Sequence, residues 1–347
     1  MEPTLNPSTD SRYTTLKNWL VSIAHIGQLD VTTLEPASSD ASFRQYYRLS
    51  TANGTAIVMD APPQHEDCRP FVHVTGLLAQ TGVVVPTILA QDIEQGFLLL
   101  SDLGRQTYFQ AIQEGVDDAR LQRLYRGAIA SLVSMQQGST QGLPSFDTTR
   151  LGEELGIFTQ WYAHTHCQAV LTESEHDTLK NAFATLVHDN AGQPSVLVHR
   201  DYHSPNLMVG ADDGQPGIID YQDAVVGPLS YDIASLVMDA RTTWEEAQQL
   251  DWAIRYWEAA RAAGLPVPSD FADFHRAYEW MGLQRNLRIL GVFARLSHRD
   301  NKHHYLDHIP RVNAYVRQVA SRYGVFRPML RILDRLDNVQ VTSGYTF

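Results

Sequence analysis

The chain has 347 residues, 44% of them hydrophobic, which is enough for two lobes with a sizeable core. Its formal net charge is −12 at pH 7 and it has no block of Lys and Arg residues, so we expect repulsion from nucleic acid. Cys68 and Cys167 are too few for a disulfide framework and stand in no metal-binding pattern. With no leader-like N-terminus and no apolar run long enough to cross a bilayer, the sequence predicts a cytoplasmic protein.

The N-terminal part has the pattern of a small lobe that contains a β-sheet. Apolar positions at helical spacing predict a helix over residues 15–27. Two runs on either side of the turn at residues 52–54 predict a β-hairpin over residues 42–49 and 55–59. The elements expected next are a helix, an extended segment that contains a proline, and a short apolar strand, at residues 67–81, 83–89 and 96–100.

Helical patterns dominate the rest of the chain. The predicted helices cover residues 121–137, 178–189, 243–263 and 270–296. Short predicted strands interrupt them at residues 195–198, 207–209 and 217–219. The predicted fold class is therefore α+β with two lobes. The smaller N-lobe, with the sheet and a helix, is expected over residues 1–103, and a larger helical C-lobe over residues 104–347.

One segment of the C-lobe has the spacing of a phosphoryl-transfer loop. Residues 199–206 read HRDYHSPN, the HRD-x4-N spacing in which protein kinases place a catalytic base and a magnesium ligand. Asp201 is then the predicted base and Asn206 the predicted ligand. Asp220 ends the apolar run GII and supplies a carboxylate for the same ion. These three residues predict phosphoryl transfer, although Asp and Asn also favour turns and strand ends for structural reasons.

The triplet HRD occurs a second time, at residues 298–300. Position 305, where the asparagine of the motif would stand, is Tyr305, and no apolar strand precedes the triplet. We therefore assign no catalytic role to Asp300. The segment is rich in histidine, which raises a zinc site as an alternative, but it has no HExxH pattern and solvated histidines are the favoured interpretation. The histidines concerned are His298, His303, His304 and His308.

Several segments resemble the aminoglycoside phosphotransferase and choline kinase-like superfamily, bilobal relatives of the protein kinases. They read VLVHRDYHSPNLMV, GIIDYQDAVVGPLSYDIASLVMD and FLLLSDLG. Others, SDASFRQYYRLS, IVMDAPPQHEDCRPFV and RLSHRDNKHHYLDHIPRV, resemble bacterial members that phosphorylate the anomeric hydroxyl of N-acetylmuramate and N-acetylglucosamine in cell-wall recycling. The resemblance runs over most of the chain.

The resemblance implies a protein-kinase-like fold, ATP and Mg²⁺ as cofactors, and an amino sugar as the acceptor. It implies that Asp201 activates the anomeric hydroxyl and that Asn206 and Asp220 hold Mg²⁺. His199 and Asp232 are given structural roles. Choline, homoserine and aminoglycoside kinases remain alternatives, because the catalytic loop does not identify the acceptor. A pseudokinase or binding module is the alternative of another class.

Two features of the kinase pattern are missing from the N-lobe. The strand at residues 55–59 contains no lysine, and no glycine-rich GxGxxG loop precedes it. Arg44 is the candidate replacement for the lysine. The adenine is expected along the last apolar strand of the lobe. The predicted nucleotide contacts are Ser42, Phe43, Arg44, Ile57, Leu100, Ser101, Asp102 and Leu103.

The acceptor sugar is expected beside Asp201, between the catalytic loop and the late helices. Side chains there are candidates for charge-assisted hydrogen bonds to sugar hydroxyls or to the lactyl carboxylate of a muramic acid, with surface ion pairing as the alternative. The candidates are His203, Gln222, Asp223, Arg285 and Arg288. The expected partners are thus a small amino sugar and ATP, with no nucleic acid, membrane or obligate protein partner.

Overall fold

The computed structural model of the chain describes residues 7–39 and 43–337. Its N-terminal part contains a five-stranded antiparallel sheet with the strand order β1-β2-β3-β5-β4. The strands are β1 (Asp30–Ser39), β2 (Gln45–Thr51), β3 (Gly54–Asp60), β4 (Ile88–Asp92) and β5 (Phe97–Ser101). Helix α1 (Pro7–Ser22) packs on one face of the sheet and helix α2 (Arg69–Ala79) on the other.

The sheet separates two apolar clusters, because successive side chains of a strand point to opposite faces. On β5, Leu99 joins the cluster that includes α1, whereas Leu98 and Leu100 join the main core with α2. All three leucines are at most 2% exposed. The continuous apolar run of this strand therefore reflects burial on both faces.

Helices make up most of the remaining chain. They are α3 (Tyr108–Glu114), α4 (Asp118–Gln136), α5 (Thr148–Ile157), α6 (Glu173–Ala191), α7 (Tyr231–Val237), α8 (Glu246–Ala262), α9 (Phe271–His298), α10 (Ile309–Arg322) and α11 (Arg327–Leu336). Two short antiparallel ladders, β6–β9 and β7–β8, interrupt them. Their strands are β6 (Ser195–Val198), β7 (Leu207–Met208), β8 (Gly217–Ile218) and β9 (Val225–Pro228). Within the described ranges, no helix combines the length and apolarity that crossing a membrane requires.

The structure departs from the predicted elements at their ends and at short helices. Helix α1 begins and ends earlier than the helix predicted over residues 15–27. Strand β4 begins at Ile88 and not at residue 83, because Pro86 has no amide hydrogen to donate to the ladder. Strand β1 and helices α3 and α5 are not predicted by periodicity; α3 instead begins at a capping box formed by Thr107 and Gln110. The predicted lobe boundary at residue 103 falls between β5 and α3, and the division into domains stays a prediction.

A π-helix, Phe158–His166, continues α5 and packs against α9. Gly291 of α9 permits this contact: a Cβ atom at this position would lie 2.4 Å from the carbonyl oxygen of Ile157 and 2.7 Å from the backbone nitrogen of Phe158. Side-chain atoms do not approach backbone so closely without displacing it. The crossing therefore requires glycine at Gly291, and it fixes the position of a helix that also carries Arg285 and Arg288.

We expect Gly291→Ala to destabilise the protein by about 1–3 kcal/mol, because the added methyl group meets backbone atoms that cannot move aside. Gly152→Ala in α5 is the matched control. A Cβ there meets no atom within 4 Å, so this variant is expected to be neutral or to gain up to ~1 kcal/mol of helix propensity. Urea unfolding followed by circular dichroism measures both free energies. Equal stabilities would contradict the close packing.

Candidate active site

The segment HRDYHSPN, residues 199–206, connects β6 to β7 and is called the catalytic loop below. Strand β7 pairs with β8, and Asp220 follows β8 by two residues. The backbone nitrogen of Ile219 donates to the carbonyl oxygen of Asn206 at 3.1 Å. This pairing brings Asp220 beside the catalytic loop, as the sequence motif predicts.

A buried carboxylate holds the start of the catalytic loop. Asp232, in the first turn of α7, accepts hydrogen bonds from the backbone nitrogens of His199 at 2.7 Å and Arg200 at 3.0 Å. Burial raises the pKa of Asp232 to about 7, against the lowering effect of these amides and of Arg285. Arg200 has φ +77°, a left-handed conformation that costs a residue with a bulky side chain about 1–3 kcal/mol. The bonds to Asp232 help to offset that cost.

The imidazole of His199 joins the catalytic loop to the segment before Asp220. Its Nε2 lies 3.0 Å from the carbonyl oxygen of Ile219, and its Nδ1 accepts from the backbone nitrogen of Asp201 at 3.3 Å. Burial lowers the pKa of His199 to about 4, so the ring is neutral near pH 7. A neutral ring with its proton on Nε2 satisfies both contacts. These contacts support the predicted structural roles of His199 and Asp232.

A second buried carboxylate, absent from the sequence prediction, holds the middle of the catalytic loop. Asp239 is 1% exposed and accepts hydrogen bonds from the backbone nitrogen of Ser204 at 3.1 Å and from the Ser204 hydroxyl. Its other oxygen accepts from the backbone nitrogen of Arg241 at 2.9 Å. The available signal was its place at the end of the run YDIASLVMD, since a carboxylate among apolar neighbours is buried and needs partners.

Asn206 and Asp220 lie close enough to share a metal ion. The Nδ2 of Asn206 donates to the carbonyl oxygen of Asp201 at 3.0 Å and to Oδ2 of Asp220 at 3.2 Å. Gln222 donates to the other Asp220 oxygen at 2.9 Å. An amide oxygen and a carboxylate are ligands that Mg²⁺ accepts when water and phosphate oxygens complete its octahedron. The donor set therefore fits Mg²⁺ with nucleotide, whereas no three His, Cys, Asp or Glu side chains of the described residues group as a metal cage.

Asp201 lies on the open side of the catalytic loop, with 38% of its side chain exposed. Burial raises the pKa of its carboxyl, but the charges of Arg288, His203 and Arg285 together outweigh burial and lower the pKa to about 2. The carboxylate is thus ionised throughout the physiological range. It is a weak base, suited to orient a hydroxyl and to accept its proton once the bond to phosphorus is forming.

Glu154 of α5 holds Arg288 beside the catalytic loop. One Glu154 oxygen lies 3.0 Å from Nε of Arg288 and 2.7 Å from Nη2 of Arg200. Glu154 is only 6% exposed, so its charge is shared between two cations inside the protein. Sequence patterns give no indication of Glu154, because they predict no helix over the residues that form α5.

Arg285 is the more enclosed of the two predicted sugar-binding arginines, at 2% exposed. Its Nη2 donates to the Ser235 hydroxyl at 2.7 Å, and its guanidinium lies over the ring of Tyr231 at 5.0 Å. Both Arg285 and Arg288 therefore have protein partners and act on Asp201 through their charge. Contact of either with a sugar stays a prediction.

The other predicted sugar contacts lie on both sides of Asp201. His203 places Nε2 3.9 Å from the Asp201 carboxylate, and burial, with the charge of Arg241, lowers its pKa to about 4, so it is neutral near pH 7. Gln222 is buried against Asp220, as described above, whereas Asp223 is exposed. Their roles in sugar binding also stay predictions.

Arg44, the predicted replacement for the missing lysine, lies between Glu66 and Asp220. Its Nη2 lies 3.0 Å from Glu66, and its Nη1 lies 3.9 Å from Asp220. A cation held by a glutamate beside the metal-binding aspartate reproduces the charge arrangement of the kinase Lys–Glu pair. Phe43 is 62% exposed and stacks on His65 with the ring centroids 4.3 Å apart. The predicted contact Ser42 lies outside the described residues.

The predicted adenine-binding residues lie together at the end of β5. Ile57 is the cross-strand partner of Leu100, and the backbone nitrogen of Ser101 donates to the carbonyl oxygen of Thr87 at 2.9 Å. Leu103, just after β5, packs directly on Gly217 of β8. This contact joins the end of β5 to the strand that precedes Asp220. The nucleotide contacts themselves stay predictions.

Asp102, in the same group, has a carboxylate occupied by protein partners. It pairs with Arg48 at 2.5 Å and accepts hydrogen bonds from the Thr55 hydroxyl at 2.6 Å and the backbone nitrogen of Gly104 at 2.9 Å. With both carboxylate oxygens engaged, the side chain serves the local structure. Its predicted place in the nucleotide site therefore concerns its backbone groups.

The second HRD triplet is built differently. Asp300 is paired in a bidentate manner with its neighbour Arg299, at 2.7 and 2.9 Å. The histidines around it have separate partners: His298 lies 3.2 Å from His166, and His303 lies 2.9 Å from the Ser297 hydroxyl. The triplet therefore makes none of the loop-holding contacts seen at Asp201.

A family model described as the phosphotransferase enzyme family matches residues 33–280. The chain belongs to this family. A curated relative from Pseudomonas aeruginosa, named N-acetylmuramate/N-acetylglucosamine kinase, is 43% identical over 337 residues, which is 95% of this chain and 97% of the relative. The predicted superfamily and the predicted class of enzyme, a phosphotransferase, are confirmed.

Solved structures of this phosphotransferase type share the fold. The Plasmodium vivax ethanolamine kinase has a TM-score of 0.64 and 10% identity, covering 94% of this chain and 92% of its own. An amicoumacin kinase solved with AMP-PNP and Ca²⁺ has a TM-score of 0.60 and 13% identity, covering 92% and 97%. At these identities the likeness concerns the fold alone. It confirms the predicted α+β, protein-kinase-like class.

We expect Arg288→Met to move the acid limb of the pH profile of kcat/KM upward by about one to two units, because loss of the cation raises the pKa of Asp201. The active form needs ionised Asp201, so activity is lost as the pH falls through that pKa. Arg288→Lys keeps the charge and should follow the parent protein. Steady-state rates are measured over the pH range in which circular dichroism shows all three proteins folded. Superimposable profiles for Met and Lys variants would rule out the proposed electrostatic role.

Proposed function

We propose that this phosphotransferase moves the γ-phosphoryl group of ATP to the anomeric hydroxyl of an amino sugar, N-acetylmuramate or N-acetylglucosamine, as a step of cell-wall recycling. The products are the sugar 1-phosphate and ADP. The observation that carries the proposal is the 43% identity, over 95% of the chain, to a kinase named for these two sugars. The contacts among Asp201, Asn206 and Asp220 support it, because they join a base to a metal-binding pair.

The reaction needs an oriented hydroxyl and little covalent help from the protein. The sugar oxygen forms a bond to the γ-phosphorus while the bond from that phosphorus to the bridging oxygen of ADP breaks. The hydroxyl proton passes to the carboxylate of Asp201. Because the pKa of Asp201 is lowered to about 2, the carboxylate accepts this proton late, when the oxygen has become acidic. Orientation is then its main contribution.

Positive charge for the phosphates comes from two sources in this proposal. Mg²⁺, held by Asn206 and Asp220, would neutralise charge on the phosphate oxygens when it is bound. Arg44, held by Glu66 and lying 3.9 Å from Asp220, adds a cation at the same end of the site. In this proposal Arg44 supplies the positive charge that a lysine on the strand provides in protein kinases. It also argues against a pseudokinase, since the charges that a kinase needs are all present.

The charge around Asp201 disfavours a cationic acceptor. Arg288, Arg285 and His203 are the groups whose charges lower the pKa of Asp201, and a choline or aminoglycoside cation would be repelled by the two arginines. A neutral or anionic sugar meets no such repulsion. We therefore rank amino sugars above choline and aminoglycosides as acceptors. Homoserine has no net charge and ranks below the amino sugars because of the 43% identity to the sugar kinase.

We expect purified protein with MgATP to phosphorylate N-acetylmuramate, N-acetylglucosamine or both, and phosphorus NMR to show a sugar 1-phosphate. Asp201→Asn should lower kcat by roughly 10²–10⁴-fold, because an amide cannot accept the proton. Asp300→Asn, in the second HRD triplet, is the matched control and should retain parent activity. Phosphate on a primary hydroxyl, or phosphorylation only of choline, homoserine or an aminoglycoside, would overturn the proposal.

We expect Asp220→Asn to raise the Mg²⁺ concentration for half-maximal rate by roughly tenfold or more, since the variant loses the only carboxylate of the proposed metal pair. Chelation with EDTA should abolish turnover in the parent protein, and added Mg²⁺ should restore it. Asp251→Asn, on the outer surface of α8 and 41% exposed, is the control. An unchanged Mg²⁺ dependence in Asp220→Asn would exclude Asp220 as a ligand.

A further inference from the structure

Arg241 lies beside the middle of the catalytic loop, where Asp239 accepts hydrogen bonds from the backbone nitrogens of both Arg241 and Ser204. The contacts run in sequence from Arg44 to Asp220, from Asp220 to Asn206, and from Asn206 to the backbone of Asp201. On the other side of Asp201, His203 approaches its carboxylate to 3.9 Å. The phosphates belong at the metal end, and in-line transfer places the acceptor on the far side of the transferred group. The His203 side is therefore the acceptor side.

Two hydrogen bonds connect Arg241 to this acceptor side through Asp239. The backbone nitrogen of Arg241 donates to one oxygen of Asp239 at 2.9 Å, and the other oxygen accepts from the backbone nitrogen of Ser204 at 3.1 Å. Arg241 is thus separated from the catalytic loop by one shared carboxylate. Its charge reaches the loop: after burial, it is the largest cause that lowers the pKa of His203 to about 4.

The guanidinium of Arg241 makes no hydrogen bond or ion pair with any side chain or backbone group of the described residues, although the residue is half-buried. The neighbouring arginines each have at least one protein partner, although Nε of Arg285 is buried without one. Arg288 is paired with Glu154, Arg285 with Ser235, and Arg311 with the Thr243 hydroxyl and, at 3.1 Å, the carbonyl oxygen of Ala240. Removing water from an arginine without supplying a partner is unfavourable, so an anionic ligand group would gain most at this position.

We propose that Arg241 binds the lactyl carboxylate of N-acetylmuramate and so sets the preference between the two sugars. This inference rests on the proposed function. N-acetylmuramate differs from N-acetylglucosamine by a lactyl ether on the oxygen of carbon 3, two positions around the ring from the carbon that carries the reacting hydroxyl. A cation beside the catalytic loop, next to the residues that hold Ser204, matches the carboxylate of that group in charge. A planar guanidinium also matches a carboxylate in geometry.

The test compares Arg241→Gln with the parent protein on three acceptors: N-acetylmuramate, its methyl ester and N-acetylglucosamine. Loss of one charge-assisted hydrogen bond should lower kcat/KM for N-acetylmuramate by roughly 10- to 100-fold. The values for the ester and for N-acetylglucosamine should change by less than about twofold. In the parent protein the ester should already show the loss, and the variant should no longer distinguish acid from ester.

Arg261→Gln is the matched control, because Arg261 is an exposed arginine of α8 that stacks on Trp257. It should leave all three acceptors unchanged, while Arg241→Lys should recover part of the lost preference for the acid. Equal losses on both sugars, or a parent protein that does not distinguish acid from ester, would overturn the role of Arg241. Failure of the parent protein to phosphorylate either sugar would instead overturn the proposed function.

Discussion

Asp232 accepts hydrogen bonds from the backbone nitrogens of His199 and Arg200, and these bonds hold the catalytic loop against α7. The loop needs them because Arg200 has a positive φ, which L-residues with long side chains avoid. Asp239, two residues beyond the C-terminal end of α7, holds Ser204. The two carboxylates hold the backbone from which Asp201 and Asn206 project, and the Asn206 amide adds its own hydrogen bonds to the Asp201 carbonyl oxygen and to Asp220.

The charge of Asp201 depends on groups that lie behind it. Arg288 and Arg285 keep its carboxyl ionised although burial opposes this, and Glu154 keeps Arg288 in place while also pairing with Arg200. The same glutamate thus connects the catalytic loop to α9. Gly291 allows α9 to pack closely on the π-helix. Because α9 also carries Arg285 and Arg288, this packing helps to set the distance of their charges from Asp201.

The N-terminal part of the chain places one cation, Arg44, beside Asp220. Arg44 precedes β2, and Glu66, which pairs with it, precedes α2. Helix α2 is in turn joined to the segment after Asp220, because Tyr221 stacks on Phe71 with centroids 5.0 Å apart and its hydroxyl bonds to Thr75 at 2.8 Å. The cation and the metal-binding carboxylate are therefore positioned by the same helix. We propose that this arginine supplies the charge that a lysine provides in protein kinases.

Spacing and periodicity are enough to predict the catalytic loop, Asp220 as the expected metal carboxylate, and the order of a small sheet followed by helices. Both are local patterns, which a single sequence displays. They do not indicate Asp239, Glu154 or Glu66, which hold the catalytic loop, Arg288 and Arg44. Each of these acts on the catalytic loop or the metal end through a contact or charge distant in sequence, and the significance of a charged side chain depends on which group faces it and how much water remains. Only the tertiary structure decided those pairings.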